Sequence, residues 1–168
     1  MENKQARAVF FDRDGTLNEE VHYLYCIEEF RWIDGAIEAI KYCNDHGYLV
    51  IVVTNQSGVA RGYYTEADIR RLHDWMNEDL VKYGAHIDAF YYCPHHPQGS
   101  VPAYTMDCVC RKPGTKMIDD ACRDYAINPS QSFMIGDKQL DVDCAHNAGV
   151  TGIRYIAGSL LDTLKNML

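Results

Sequence analysis

Asp12 and Asp14, two acids separated by one residue, end a short apolar run, Ala8-Val9-Phe10-Phe11, and lead into Gly15-Thr16. In such a pair one carboxylate can bind a cation or attack while the other handles a proton, because the turning chain aims them differently. A bare D-x-D is more often only an acidic turn. A calcium loop is excluded, since it needs oxygen ligands at its fifth and twelfth positions and Tyr23 stands at the twelfth. Two further polar clusters behave the same way. Thr54-Asn55-Gln56-Ser57-Gly58 follows the apolar run 48–53, and Asp137-Lys138-Gln139-Leu140-Asp141 follows Ser132-Phe133-Met134-Ile135-Gly136. If these ends converge, their carboxylates repel unless a cation sits among them. Mg²⁺ suits such oxygen donors, retaining waters and a substrate phosphate. Arg111-Lys112-Pro113 can bring positive charge to the same place. Acids, one metal, a lysine and hydroxyl donors outline a phosphoryl-transfer site.

A second set of chemistry-bearing residues lies in the segment 93–112, which holds Cys93, His95, His96, Cys108 and Cys110. Three thiolates and one imidazole make a closed tetrahedral zinc set, with no position left open for catalysis. The one-residue spacings are tighter than usual, either histidine could serve, and a loop of unpaired cysteines is the plain alternative. Cys26, Cys43, Cys122 and Cys144 read as small buried apolar residues. His22 and His73 are expected at the surface, and Trp75 and the tyrosines in core or lid packing.

Elements must carry these residues to one place. The runs 8–11, 48–53, 86–92, 132–136 and 151–156 read as strands. Helices are expected from Asp34-Gly35 to a stop at Gly47, and from a cap at Thr65-Glu66-Ala67-Asp68 to about Tyr83. Others run from near Gly114 to Tyr125, up to Asn147, and from Ser159 onward. Strand and helix alternate, which predicts an α/β fold of three layers (α/β/α, Rossmann-like) with a mainly parallel sheet. In such a sheet all strand ends of one polarity share an edge, where ligands bind. The connection 13–33 is unusually long and has the character of a lid or binding loop.

The totals narrow the classes of function. A chain of 168 residues suits one domain with a real core, and no repeat, low-complexity stretch or second domain is expected within 1–168. Sixteen basic against 24 acidic residues leave a net charge of −8, which argues against nucleic acid or an anionic membrane as partner. Met1-Glu2-Asn3-Lys4-Gln5 shows no signal-type apolar region, and no run approaches a membrane span. The expectation is a cytoplasmic monomer acting on a small anionic molecule. Seven cysteines, an odd number, fit thiols or metal ligands rather than a disulfide framework.

Asp12-Arg13-Asp14-Gly15-Thr16, Val53-Thr54-Asn55-Gln56-Ser57-Gly58, Arg111-Lys112-Pro113 and Gly136-Asp137-Lys138-x-x-Asp141 resemble, in order and spacing, the four motifs of the haloacid dehalogenase superfamily of phosphatases. The resemblance spans nearly the whole chain. Tyr91 to Ser100 and Val53 to Gly62 are similar to the subgroup that dephosphorylates D-glycero-D-manno-heptose 1,7-bisphosphate, with histidinol-phosphate phosphatases next. The chain departs from the pattern at Gly114-Thr115, where a second proline or a histidine is expected.

The resemblance implies an Mg²⁺-dependent phosphatase with no large cap domain that removes the C7 phosphate of a heptose bisphosphate. Asp12 is then the nucleophile and Asp14 the general acid and base. Thr54 and Lys112 hold the phosphoryl oxygens, and Asn55, Arg111 and Lys138 contact substrate. Mg²⁺ is bound by Asp12, the Asp14 backbone carbonyl and Asp137, with Asp141 orienting that shell. The resemblance also implies a structural zinc on Cys93, His95, Cys108 and Cys110, which selects His95 over His96. A phosphomutase is disfavoured because the chain lacks a water-excluding insertion. A non-catalytic, zinc-stabilised binding module is the alternative from another class.

Overall fold

The computed structural model describes residues 4–168. The leader-free reading of Met1-Glu2-Asn3 falls outside them. Five strands, β1 (Arg7–Phe11), β2 (Tyr48–Asn55), β3 (Ala89–Cys93), β4 (Phe133–Gly136) and β5 (Thr151–Arg154), form one sheet in the order β3-β2-β1-β4-β5. Every pairing is parallel, for example Phe11 with Val52 and with Ile135. The helices are α1 (Ala36–Asp45), α2 (Glu66–Val81), α3 (Lys116–Tyr125), α4 (Gln139–Asn147) and α5 (Leu160–Met167).

Alternation along β1 and β2 divides the core in two. Val9, Phe11, Val50 and Val52 face Ile40 of α1, Leu72, Met76 and Leu80 of α2, and Leu160 and Leu164 of α5. Ala8, Phe10, Ile51 and Val53 face Ile118 and Ala121 of α3 and Cys144 and Ala145 of α4. The α/β/α layering expected from the continuous apolar runs is therefore present, with β1 and β2 buried on both sides. Because chain order reverses on either side of β1, the switch point of the sheet lies where β1 ends, at Asp12.

β3 starts three residues later than the apolar pattern predicts. Side chains satisfy the preceding backbone instead of a neighbouring strand. The Asn77 amide accepts from Ile87 N at 2.8 Å and donates to Ile87 O at 3.0 Å, and Asn44 brackets His86 in the same way. Thr65 caps α2 as expected, in a reciprocal pair with Asp68.

His73 is a correction. It lies buried on α2 rather than at the surface, its ring stacked on Phe90 with centroids 4.2 Å apart. Cys43 and Cys144 are buried as expected, whereas Cys26 and Cys122 are only half-buried. At the departure from the family pattern, Gly114 packs so tightly that a Cβ would meet the Val109 carbonyl oxygen at 2.3 Å, which leaves room for no other residue.

Candidate active site

Three strand ends deliver the acids and their partners to one edge. β1 runs out at Asp12, β2 at Thr54-Asn55 and β4 at Asp137, and α4 begins just beyond with Asp141. Lys112 arrives from the loop before α3 and is fully enclosed. Its Nζ lies 2.8 Å from Asp12 Oδ1, 2.7 Å from Asp141 Oδ1 and 2.9 Å from the Val53 carbonyl oxygen. Burial alone would lower the lysine's pKa, but the two carboxylates outweigh it and raise it. Asn55 clamps the lysine's main chain, its Oδ1 accepting from Lys112 N at 2.9 Å and its Nδ2 donating to Lys112 O at 3.3 Å.

Asp12, Asp137 and Asp141 each place a carboxylate oxygen within 4.8 Å of the others. Asp141 has both oxygens engaged, Oδ1 by Lys112 and Oδ2 by the Lys138 backbone N–H at 3.1 Å. Among the described residues Asp137 has a single weak side-chain donor, Thr16 Oγ1 at 3.4 Å. Burial and the neighbouring Asp12 push it up to about 7. One lysine does not neutralise this group of acids, and its oxygen donors suit a hard divalent cation. Gly15 makes the crowding possible. It sits at φ +84°, and a Cβ there would meet Asp137 Oδ2 at 2.3 Å.

Asp14 faces the same cleft from a different set of partners. Arg13, entirely buried, forks around its carboxylate, and Asn18 and Gln56 donate to it as well. Burial would raise the Asp14 carboxyl, but the Arg13 charge and these hydrogen bonds overcome it and hold it below the usual range. Behind Arg13, His73 Nε2 lies 3.2 Å from Nη1. Arginine can only donate, so Nε2 accepts and the ring proton sits on Nδ1. Burial, followed by the Arg13 charge, keeps this imidazole well below its ordinary pKa.

The cleft encloses about 220 Å³, the scale of a small metabolite. Asp12, Asp14, Thr54, Asn55, Lys112, Arg111 and Lys138 all line it, whereas Asp137 and the fully buried Asp141 do not. Asp137 opens instead onto an adjacent hollow with Gly15 and Arg154. Glu20, His22 and Tyr23 of the long connection also line the cleft, as do Gln56, Ser57 and Tyr64. Sequence reasoning assigns none of these a contact in the cleft, although the length of 13–33 signals a binding loop and Gln56 and Ser57 stand in the second motif. Arg111 Nη1 is buried with no partner among the described residues.

Cys93, His95, Cys108 and Cys110 come together with ligand atoms within 4.8 Å of one another. Cys110 Sγ lies 2.8 Å from Cys108 Sγ and 3.4 Å from His95 Nδ1. A hydrogen bond from Cys110 pulls Cys93 down to about 6, while Cys110, facing Cys93 and Cys108, is pushed up. Such neighbours cannot all ionise without a cation, and the four donors fit zinc. His96 points elsewhere, its Nδ1 accepting from Gln98 N at 3.0 Å and its Nε2 lying 3.5 Å from Arg61 Nη2.

The HAD-hydrolase-like family model matches residues 109–163. Over 148 residues the chain is 45% identical to the D-glycero-beta-D-manno-heptose-1,7-bisphosphate 7-phosphatase of Rhodopseudomonas palustris, covering 88% of this chain and 82% of that one. The chain belongs to the haloacid dehalogenase superfamily of phosphatases. Another phosphatase of the superfamily, the D-glycero-alpha-D-manno-heptose-1,7-bisphosphate 7-phosphatase of Photorhabdus laumondii, is 41% identical over 150 residues, 89% of this chain and 82% of that one. The crystal structure of D,D-heptose 1,7-bisphosphate phosphatase from B. bronchiseptica, complexed with magnesium and phosphate, aligns with a TM-score of 0.83. It is 25% identical and covers 96% of this chain and 97% of that one. The resemblance drawn from the four motifs is thus borne out for superfamily and subgroup.

Proposed function

We propose that this phosphatase removes the C7 phosphate of D-glycero-D-manno-heptose 1,7-bisphosphate, through a phosphorylated Asp12. The observation that carries the reading is the convergence of Asp12, Asp14 and Lys112 on one small cleft, with an Asp137 carboxylate oxygen within 4.8 Å of one on Asp12, in a chain whose relatives bear that activity in their names.

In the first half of the reaction an Asp12 carboxylate oxygen attacks phosphorus and the bond from phosphorus to the sugar oxygen breaks. Asp14, carrying the proton it takes from water in the second half of the preceding cycle, gives it to that leaving oxygen, so a neutral alcohol departs. In the second half a water attacks the aspartyl-phosphate, Asp14 takes the water's proton, and phosphate leaves as Asp12 is regenerated. Thr54 would hold the phosphoryl oxygens, and the Lys112 ammonium, whose three donors go to Asp12, Asp141 and the Val53 carbonyl, would steady them by its charge while it keeps Asp12 fixed between the two steps. Asp12, Asp137 and the Asp14 carbonyl would bind Mg²⁺, which supplies charge neutralisation for the phosphoryl oxygens when present. Asp141, with both oxygens engaged, orients this set from behind. Arg111 and Lys138 are the cations placed to meet the rest of the substrate. Asn55 has its amide committed to Lys112, so its contribution runs through the lysine. Zinc on Cys93, His95, Cys108 and Cys110 would be structural, holding the loop that carries Arg111 and Lys112.

A histidinol-phosphate phosphatase is the second reading, and the names of the relatives favour the heptose substrate over it. A non-catalytic binding module conflicts with the intact acid and lysine set. Side-by-side kcat/KM values for both anomers of the heptose bisphosphate and for histidinol phosphate, with Mg²⁺, test the proposal. A preference for either heptose anomer is expected, and a preference for histidinol phosphate would overturn the substrate assignment.

A further inference from the structure

Asp14 is held from two directions, and only one of them belongs to its own loop. Its Oδ1 accepts from Arg13 Nη2 at 2.9 Å, Arg13 Nε at 3.2 Å and Asn18 Nδ2 at 3.0 Å. Its Oδ2 accepts from Arg13 Nη2 at 3.1 Å and, across the cleft, from Gln56 Nε2 at 3.0 Å. The Gln56 amide is itself locked. The Tyr64 hydroxyl donates to its Oε1 at 2.6 Å, and Nε2 also reaches Thr54 Oγ1 at 2.9 Å. Were the amide to turn over, its oxygen would face the Asp14 carboxylate and the bond to Asp14 would be lost. Burial suppresses ionisation of the Tyr64 phenol, which therefore remains a donor.

The same partners tie Asp14 to the long connection. Arg13 Nη2 donates to the Leu24 carbonyl at 3.2 Å, and the Tyr25 ring stacks on Tyr64 with centroids 5.6 Å apart. Tyr64 and Gln56 are both buried, yet both line the cleft.

We propose that Gln56 and Tyr64 are positioning residues that aim Asp14 at the leaving oxygen, through the relay Tyr64 hydroxyl to Gln56 amide to Asp14 carboxylate, with Arg13 as the fixed side of the grip. The proposal rests on the phosphatase reading above and on Asp14 as its acid. Losing Gln56 leaves Asp14 held only from its own loop, by Arg13 and Asn18, and losing Tyr64 unlocks the amide that holds its other side. Small misplacements of a catalytic group are costly, and general acid catalysis matters most when the leaving group is a poor one.

The test compares a phosphorylated sugar, which must leave as an alcohol, with p-nitrophenyl phosphate, whose nitrophenolate departs without a proton. The parameter is kcat/KM, which ends at leaving-group departure and so excludes the later proton abstraction. Tyr64→Phe keeps the ring on Tyr25, and Gln56→Leu removes the relay at its centre. Each is expected to lose about 10–100-fold on the sugar phosphate and under about threefold on p-nitrophenyl phosphate. Added to Asp14→Asn, Tyr64→Phe should cost nothing further on the sugar phosphate, because the group it positions is gone. Equal losses on both esters, no loss on either, or a full additional loss in the Asp14→Asn background would overturn the proposal. Should Gln56→Leu fail to fold by circular dichroism, Tyr64→Phe decides alone. Unmutated protein that cleaves neither ester overturns the phosphatase reading, and this inference with it.

Discussion

At the scale of single residues, Lys112 shows how the site is kept together. An ammonium enclosed with two carboxylates contributes little net stability as a group, since desolvation offsets attraction, but removing one partner strands the others. Lys112→Met is expected to destabilise the chelator-treated protein by about 3–5 kcal/mol in urea unfolding, as well as to abolish activity. A change within about 1 kcal/mol would mean that the acids are relieved in some other way. His73 gives a pH-dependent counterpart. Its pKa is lowered in the fold, so the unfolded chain binds a proton first as pH falls below the ordinary value of 6.5. Stability contributed by the neutral ring is complete above that pH and declines below it, by at most about 1.4 kcal/mol per pH unit. His73→Gln, which keeps an acceptor for Arg13, should flatten the slope of unfolding free energy between pH 6.5 and 5 relative to the parent, and an unchanged slope would contradict the assignment. The motif acids and lysine were legible because four motifs match the family in order and spacing, where Asp12-Arg13-Asp14 alone reads as an acidic turn. His73 also had a signal: 69, 73, 76 and 80 lie along one helical stripe, so its position on the apolar face outweighs its polarity. Gln56 and Tyr64 were not legible as partners of Asp14, because only the folded loops bring residues 14, 56 and 64 together.

At the scale of elements, two brackets hold the loop that carries Arg111 and Lys112. Asn55, at the end of β2, clamps the Lys112 main chain, and Cys93, paired with Asn55 in the β2–β3 register, faces Cys110 immediately before Arg111. The zinc reading makes the second bracket a metal bond. Elemental analysis should find about one zinc per chain, lost in Cys108→Ser together with most of the activity. Full retention of zinc in that variant would mean that the ligand set is wrong. Helix boundaries were legible where a side chain closes them. Thr65→Ala should cost about 1 kcal/mol in thermal or urea unfolding through loss of the cap. The start of β3 was not, because Asn77 and Asn44 reach it from distant elements and nothing in the run 86–92 announces them.

At the scale of the whole molecule, the alternation of strand and helix made the class of fold readable, and continuous apolar runs made the burial of β1 and β2 readable. The order β3-β2-β1-β4-β5 was not written locally, since it depends on which neighbour each strand finds. That order matters most for function, because it places β1 at the switch point and gathers Asp12, Thr54 and Asp137 at one edge. No helix among the described residues is long and apolar enough to cross a membrane. The most direct measurement of the central claim is acid quenching within a single turnover on substrate carrying labelled phosphate at C7, followed by peptide mapping. The account predicts label bound to the peptide containing Asp12 and absent from it in Asp12→Asn, which should stay folded and release no phosphate. Sustained phosphate release by Asp12→Asn, with no label trapped on the parent protein, would contradict it.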